Sequence, residues 1–360
     1  MTAHLLGRGA RRSGSASTTL QRIWNPTRLA GSRLVGSLIV ILGVVTLTFV
    51  LARIVSPDPS NLYVPPQSDA ATRAHERALL GLDKPLWVQY GIFIANLFRG
   101  DLGTSFSTNQ PVLEDLASRL PATLELAVYS IVIGTVLGIA AGILAAVRRG
   151  RVSDHVIRFL TVSGLALPQF FVGLMLLYVF FVVLGVAPGP IGRLPVGVTP
   201  PHHITGFYVI DALLAGNVGL AGTAAWGLLL PVATLGYGVF APIARTVRTA
   251  MLEILDTDYI RTARAMGIGD RRIHFAYAFK NAMLPVLTML AGAIGFTFSG
   301  AVLVEGIFGW PGVGYYALTA IVQSDFPAIQ GFVLYCAIVY VLVYLVLDLA
   351  YLRIDPRMRS

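Results

Sequence analysis

The stretch LPVLTMLAGAIGFTFSGAVLV, residues 284–304, contains no ionisable side chain and is long enough to cross a bilayer as one helix. The stretch does not alternate apolar and polar residues as a β-barrel strand does. Lipid-exposed strands outside a closed barrel would leave backbone N–H and C=O groups unpaired. Five further runs have the same character: 34–52, 121–147, 159–187, 224–244 and 332–347. The sequence therefore predicts an all-α, polytopic membrane protein with six transmembrane helices.

The composition excludes a water-soluble protein. Of the 360 residues, 55% are hydrophobic and only 12% are charged, whereas soluble domains carry about 25% charged residues. A water-facing surface needs charged side chains to cover it, so neither a soluble enzyme nor a disordered chain fits this composition. The single cysteine, Cys336, lies in an apolar run, which excludes a disulfide framework and a cysteine-based metal site.

The basic residues are distributed unevenly, and this distribution predicts the orientation. With the N-terminus inside, segments 1–33, 148–158, 245–280 and 353–360 are cytoplasmic and hold 20 of the 27 lysines and arginines. The positive-inside rule therefore predicts a multi-pass protein of the cell membrane with both termini in the cytoplasm. The net charge of +9 is explained by this topology, so membrane lipid is expected as a partner and nucleic acid is not.

The same runs predict how the chain is organised. Residues 1–32 are expected to form a disordered cytoplasmic tail, and residues 33–54 the first transmembrane helix. The remaining boundaries are 55–120 for an extracytoplasmic loop region, 121–352 for a core domain with five transmembrane helices, 245–283 for a cytoplasmic loop within that core, and 353–360 for a cytoplasmic C-terminus.

The chain offers little chemistry of its own. A nucleotide-binding P-loop ends in Lys-Ser or Lys-Thr, but the only lysines, Lys84 and Lys280, precede Pro85 and Asn281. The span centres carry no acid, which weakens a proton-coupled secondary carrier without excluding it, and a channel also stays open. The adjacent His202 and His203 are interpreted as a solvated pair. No catalytic residue, cofactor or metal site is predicted.

The segment LDTDYIRTARAMGIGDRRIHFAYAFKNAMLP, residues 255–285, is the most informative polar stretch. Asp258 is placed to cap a short helix, and Gly267 to end it in a left-handed conformation. Such a helix suits docking into the groove of a partner, although a helix lying on the lipid surface stays open. We expect it to present the following residues outward: Tyr259, Ile260, Thr262, Ala263 and Met266.

This segment resembles the EAA loop of ABC importer permeases. That loop typically has two alanines, a glycine four residues later and a Leu-Pro downstream, and Ala263, Gly267, Leu284 and Pro285 hold those places here. Arg261 and Thr262 replace the usual glutamate and first alanine, a departure common in the peptide-importer branch. The acidic contact to the ATPase is thereby removed.

Other stretches resemble the first permease of dipeptide, oligopeptide and nickel importers. The similarity extends over about residues 30–358, nearly the whole chain. The stretches are LGLDKPLWVQYGIFIANLFRGDLGTSF (80–106), RLPATLEL (119–126), LALPQFFVGLML (165–176), ILDTDYIRTARAMG (254–267), VEGIFGWPGVG (304–314) and DPR (355–357).

The resemblance implies the type I permease fold of ABC importers and a role as a translocation pathway. The implied partners are a second homologous permease, ABC ATPases as separate or fused chains, and an extracytoplasmic substrate-binding protein. The stretch 258–267 is then the coupling helix that contacts the ATPase. Di- and oligopeptides are the expected cargo, with nickel, haem and glutathione as alternatives. The residues expected near the outer gate, where the binding protein docks, are Glu305, Trp310, Pro311 and Gly312.

Overall fold

The computed structural model describes residues 26–55, 69–79 and 82–354, and within these ranges the chain is helical apart from loops and one isolated bridge between Thr104 and Pro111. The first helix begins at Pro26, so residues 26–32 of the expected tail are helical. Residues 1–25 of that tail and residues 355–360 of the expected C-terminus lie outside the described residues.

Thirteen helices are seen in the described part of the chain. Two π-helical segments, Leu177–Val183 and Ile273–Phe279, continue α6 and join α10 to α11. The helices are α1 (Pro26–Val55), α2 (Ala70–Leu79), α3 (Leu86–Phe98), α4 (Val112–Val147), α5 (Val152–Ala166), α6 (Gln169–Leu176), α7 (Tyr208–Leu214), α8 (Val218–Leu255), α9 (Asp258–Ala265), α10 (Asp270–Arg272), α11 (Lys280–Phe308), α12 (Val313–Val322) and α13 (Phe326–Ile354).

The centre of the bundle is α8, which packs along α4. Gly134, Gly138 and Gly142 are four residues apart on α4 and face α8, as in small-residue contacts between transmembrane helices. A Cβ at Gly134 would lie 2.5 Å from the carbonyl oxygen of Gly236, and one at Gly142 would lie 2.6 Å from the Cβ of Val247. The two backbones therefore approach closely only because these positions lack side chains.

Five helical stretches are long and apolar enough to cross a membrane: 36–54, 112–147, 218–255, 270–308 and 326–345. The expected third span is different, because the chain bends by 116° between α5 and α6. Pro168 stands between them, and proline cannot continue the hydrogen-bond pattern of a helix. The bent pair brings the number of spans to six if it crosses as one unit.

Contacts before and after the bent pair show how far this part of the chain travels along α8. At its start, Asp154 binds Arg248 of α8, and beyond its end the carbonyl oxygen of Arg193 faces Gly227 of the same helix. Gly227 and Arg248 are about 31 Å apart along α8 at about 1.5 Å per residue, which matches the bilayer core. The prediction of an all-α polytopic protein is confirmed, and the described helices agree with six spans.

Candidate functional site

Helix α9 connects α8 to the segment that leads into α11, at the end of the bundle rich in arginine. It ends as the sequence predicts, because Gly267 has a left-handed backbone with φ of 75°. The Ile268 N–H donates to the Ala263 carbonyl at 3.1 Å, and the Gly267 N–H donates to the Arg264 carbonyl at 2.9 Å. These two bonds form a Schellman motif, which pairs the last carbonyl groups of the helix.

The start of α9 differs from the prediction. Thr257 occupies the N-cap position, and no side chain caps the helix there. Asp258 is the first helical residue, and its Oδ1 accepts a hydrogen bond from Arg261 at 2.9 Å. The carboxylate of Asp258 therefore stabilises the first turn through its charge and this exposed ion pair instead of capping it.

The expectation that all five side chains of α9 face outward is wrong for two of them. Ile260 is 0% exposed and Ala263 is 2% exposed, because the two lie one turn apart on the face that packs against the bundle. Tyr259 and Met266 are 44% and 69% exposed, and Thr262 is exposed as well. The outer face of α9 is therefore formed by Tyr259, Arg261, Thr262, Arg264, Ala265 and Met266.

The inner face of α9 belongs to the hydrophobic core at this end of the bundle. Ile260 joins a cluster that includes Met251 of α8 and Ile273 of the π-helical segment. The Tyr259 hydroxyl accepts a hydrogen bond from the Asn281 side chain of α11 at 3.3 Å. We therefore expect a displacement of α9 to move the ends of both α8 and α11, because tightly packed interiors transmit strain.

A buried ion pair fixes α5 at the same end. The Arg248 guanidinium donates two hydrogen bonds to the Asp154 carboxylate, at 2.7 and 3.0 Å, and the Gly150 N–H donates a third at 3.0 Å. Asp154 is 1% exposed, so its charge is compensated by a bidentate partner inside the protein. This pair joins the start of the bent span to the helix that carries α9.

The motif VEGIFGWPGVG lies at the opposite end of the bundle and packs inward. Gly309 ends α11 with φ of 61°, and the chain turns into α12. Glu305 is 0% exposed; it accepts hydrogen bonds from the Thr123 hydroxyl at 2.7 Å and the Tyr315 N–H at 2.9 Å. A carboxylate at the N-terminus of a helix is stabilised by the free N–H groups and the helix dipole. Glu305 therefore holds the start of α12.

The other three residues predicted near an outer gate surround this carboxylate. Trp310 is 1% exposed, and its indole N–H donates to the Ala122 carbonyl at 2.8 Å. Gly312 is buried, and a Cβ there would overlap the Glu305 carboxylate. Only Pro311 is exposed. The structure brings the four residues together, but three of them are buried within the protein and are not exposed on its surface.

Sequence reasoning gave no role to a second buried acid at this end. Glu125 of α4 is 0% exposed and forms an ion pair with Arg193 at 2.6 Å. The Arg193 guanidinium also lies 3.3 Å from the ring centroid of Tyr208, a cation–π contact. Two signals in the sequence could have indicated this ion pair. Arg193 lies in a loop on the side where the positive-inside rule predicts few basic residues, and Glu125 lies within an apolar run.

The loop that carries Arg193 is closed by Asp211 of α7. Its carboxylate accepts hydrogen bonds from the N–H groups of Thr205 at 2.8 Å and Gly206 at 2.9 Å, and from the Thr205 hydroxyl at 2.7 Å. Burial alone would raise the pKa of Asp211, but these hydrogen bonds stabilise the ionised form and hold the pKa below its ordinary value.

A cavity of about 490 Å³ lies where α5 and α6 meet, beside α8 and α11. Its polar lining residues are Gln169, Thr234 and Tyr237, and its apolar walls include Val172, Met289 and Phe296. The sequence stretch 165–176 contained this glutamine, but nothing in the pattern assigned it a place. Within the part of the chain that the structure describes, no group of three or more His, Cys, Asp or Glu residues is placed to hold a metal ion.

Comparison with known proteins gives a consistent result over most of the chain. Residues 138–360 match the family described as the binding-protein-dependent transport system inner membrane component, and residues 27–127 match its N-terminal family. Over 322 residues the chain is 44% identical to the probable D,D-dipeptide transport system permease of Escherichia coli, covering 89% of this chain and 94% of that protein.

Two further relatives are similar over the same region. The di/tripeptide transport system permease of Pseudomonas aeruginosa is 40% identical over 321 residues, which is 88% of this chain and 94% of that protein. The glutathione transport system permease of Salmonella choleraesuis is 35% identical over 327 residues, which is 91% of this chain and 97% of that protein.

Proposed function

The chain belongs to the family of binding-protein-dependent transport system inner membrane components, and from that premise we propose that it forms the translocation pathway of an ATP-driven importer of short peptides. The observation that carries the proposal is α9, a short helix that rests on α8 and α11 through Ile260 and Ala263 and leaves its other face free for a partner. We propose that this face enters a groove of an ATPase.

The energy for transport then comes from other subunits. The chain has two lysines and neither stands in a P-loop, so ATP is hydrolysed by partner ATPases, as separate or fused chains. A second homologous permease completes the pathway, and an extracytoplasmic binding protein delivers the cargo. The family does not favour the proton-coupled carrier, since its members work with binding proteins as their description states.

The protein is a multi-pass membrane protein, and we propose that both of its termini and α9 lie in the cytoplasm. The 20 basic residues on one side support this orientation. Residues 55–120 then form an extracytoplasmic region before a core of five further spans, 121–352. The exposed Trp87 of α3 and Pro311 are available to a binding protein there, whereas Trp310 and Glu305 support the outer end from inside.

The proposed cargo is a di- or tripeptide. Relatives that are 37–44% identical are named as permeases for dipeptides, D,D-dipeptides or di/tripeptides, and the relative named for glutathione is 35% identical. Uptake into proteoliposomes that contain the whole complex and a loaded binding protein would distinguish L,L-dipeptides, D,D-dipeptides and glutathione. Transport of none of them in the presence of ATP would contradict the proposed cargo.

The coupling role of α9 is tested by a matched pair of substitutions. Ala265→Trp adds bulk to the outer face of α9, and Ala276→Trp makes the same change at an exposed position outside α9. We expect Ala265→Trp to lower cargo-stimulated ATP hydrolysis about tenfold or more, since overpacking a groove costs about 1–3 kcal/mol. Ala276→Trp should hydrolyse ATP and transport normally. Normal rates for both variants would show that α9 is not the coupling element.

A further inference from the structure

The cavity at the junction of α5 and α6 lies near the middle of the membrane. Gly238, which lines it, is roughly 15 Å along α8 from both Gly227 and Arg248 at about 1.5 Å per residue. Pro168 has no N–H, so the Gly164 carbonyl receives no helical hydrogen bond from residue 168. Interrupted backbone at this depth is tolerated where it is buried in protein or lines a water-filled cavity. The break therefore leaves the Gly164 carbonyl in the lining of a cavity whose surface is otherwise mostly apolar.

The carboxamide of Gln169 is poorly paired in this cavity. Its Nε2 donates to the carbonyl oxygens of Thr234 at 3.5 Å and Leu235 at 3.3 Å, both at or beyond the long end of the range for such bonds. Its Oε1 is buried and has no hydrogen-bond partner. A buried acceptor without a partner is unfavourable, because it has lost its hydrogen bonds to water and gained none in the protein. The side chain is thus held where neither end of its amide is well satisfied.

Two glycines make room for this position. A Cβ at Gly238 of α8 would lie 2.8 Å from the Gln169 Nε2, and a Cβ at Gly300 of α11 would overlap the Oε1. The carboxamide therefore lies wedged between two transmembrane helices. The neighbouring cavity of about 490 Å³ gives it space to rotate away from both, and this volume is within the range of small-molecule sites.

We propose that this cavity receives the peptide group of the cargo during transport and that Gln169 binds it. This inference rests on the proposed function. A carboxamide carries the same donor and acceptor as a peptide group, so the Nε2 donates to the cargo carbonyl while the Oε1 accepts from the cargo N–H. The apolar walls at Val172, Met289 and Phe296 take side chains of the cargo. Recognition through the peptide group works for any sequence.

The test uses the complete reconstituted complex with its binding protein and two cargoes, L-alanyl-L-alanine and its analogue with an N-methylated peptide bond. Methylation removes the cargo N–H that would donate a hydrogen bond to the Gln169 Oε1. Gln169→Met keeps the length of the side chain but removes the amide, and Met289→Leu on another wall of the cavity is the control. Comparing each variant with the wild type cancels the preference of the binding protein, which is the same in all assays.

We expect Gln169→Met to lower kcat/KM for L-alanyl-L-alanine about tenfold, because both hydrogen bonds to the peptide group are lost. The N-methylated analogue still accepts a hydrogen bond from Nε2 but has no N–H for Oε1, so the same variant should lower its kcat/KM only about threefold. Met289→Leu should leave the ratio of the two cargoes unchanged. An equal loss for both cargoes, or no loss for either, would overturn the proposal.

A second measurement does not depend on any variant. A dipeptide with a diazirine side chain, irradiated during turnover of the wild-type complex, should attach to Val172, Met289 or Phe296. Attachment only elsewhere in the chain would overturn the proposal even if the Gln169 variant failed to assemble. Failure of the wild-type complex to transport either peptide would count against the proposed function itself and would be distinguishable from both results.

Discussion

Helix α9 and the turn from α11 into α12 are both short connections between spans, and both carry the most distinctive motifs of the chain, but they use their residues in opposite ways. In α9, two apolar side chains point to the bundle while the remaining face is exposed. In the outer turn, Glu305, Trp310 and Gly312 are all buried. The difference teaches that a motif between two spans can serve a partner or the protein's own packing, and burial distinguishes the two.

The largest effect is expected in the outer turn. Trp310→Ala removes a fully buried indole that packs in the core and binds the Ala122 carbonyl. We expect the free energy of unfolding to fall by about 3–5 kcal/mol, as for other buried aromatic residues. Trp87→Ala, at a tryptophan that is 76% exposed, is the control and should change stability by less than about 0.5 kcal/mol. Unfolding in mixed micelles measures the stability of both variants. Equal losses for Trp310→Ala and Trp87→Ala would contradict the prediction that the outer turn serves the protein's own packing.

The next effect separates the two faces of α9. Ala263→Trp places a large side chain in the core under the helix, and overpacking is expected to cost about 1–3 kcal/mol of stability. Ala265→Trp, two residues further on the outer face, should leave stability unchanged and lower only the ATP hydrolysis of the assembled complex. Thermal unfolding of both variants in detergent checks the prediction. A stable Ala263→Trp variant would show that residue 263 faces outward after all.

A smaller loss is expected at Glu305. Glu305→Gln keeps the shape but replaces one carboxylate oxygen by a donor, so the Thr123 hydroxyl or the Tyr315 N–H loses its acceptor. The helix dipole also loses a favourable charge, and together we expect a destabilisation of about 1–2 kcal/mol. Glu253→Gln, at an exposed glutamate of α8, is the matched change. An unaffected unfolding midpoint for Glu305→Gln, with loss of binding-protein docking, would favour the docking role.

The smallest effect concerns the end of α9. Gly267→Ala introduces a Cβ at a left-handed position, which costs about 1 kcal/mol. Gly269→Ala is the matched control, because Gly269 has φ of −63° and open space around it. The measurement is the unfolding midpoint of each variant together with its coupled ATP hydrolysis. Identical behaviour of the two would mean that the left-handed turn at Gly267 contributes nothing to the placement of α9.

Much of the fold could be predicted because apolar length and charge are local properties. The run 284–304 and the left-handed position of Gly267 needed no knowledge of distant residues. The orientation of α9 was missed, although Ile260 and Ala263 stand three residues apart and each is followed by an arginine, a spacing that indicates a buried face. Pro168 lies inside the expected third span, where a proline interrupts a helix, but the sequence does not give the bend of 116°.

The site around Gln169 could not be predicted from its own stretch of sequence. Its carboxamide lies where it does because Gly238 and Gly300 leave space for it, and those residues belong to two other helices. The same holds for Glu305, whose partner Thr123 is in α4. Polar groups inside a membrane protein take their partners from distant parts of the chain, so their roles depend on tertiary packing.

The glycine contacts between α4 and α8 have a consequence for the exchange of backbone amide protons with deuterium. Around Gly134, Gly138 and Gly142 the helices touch backbone to backbone, so water reaches these amides only when the helices separate. The N–H groups on either side of Pro168, by contrast, border a cavity and exchange through local opening. Deuterium uptake should therefore show two distinct time courses within one domain, slow along the α4–α8 contact and fast at the bend.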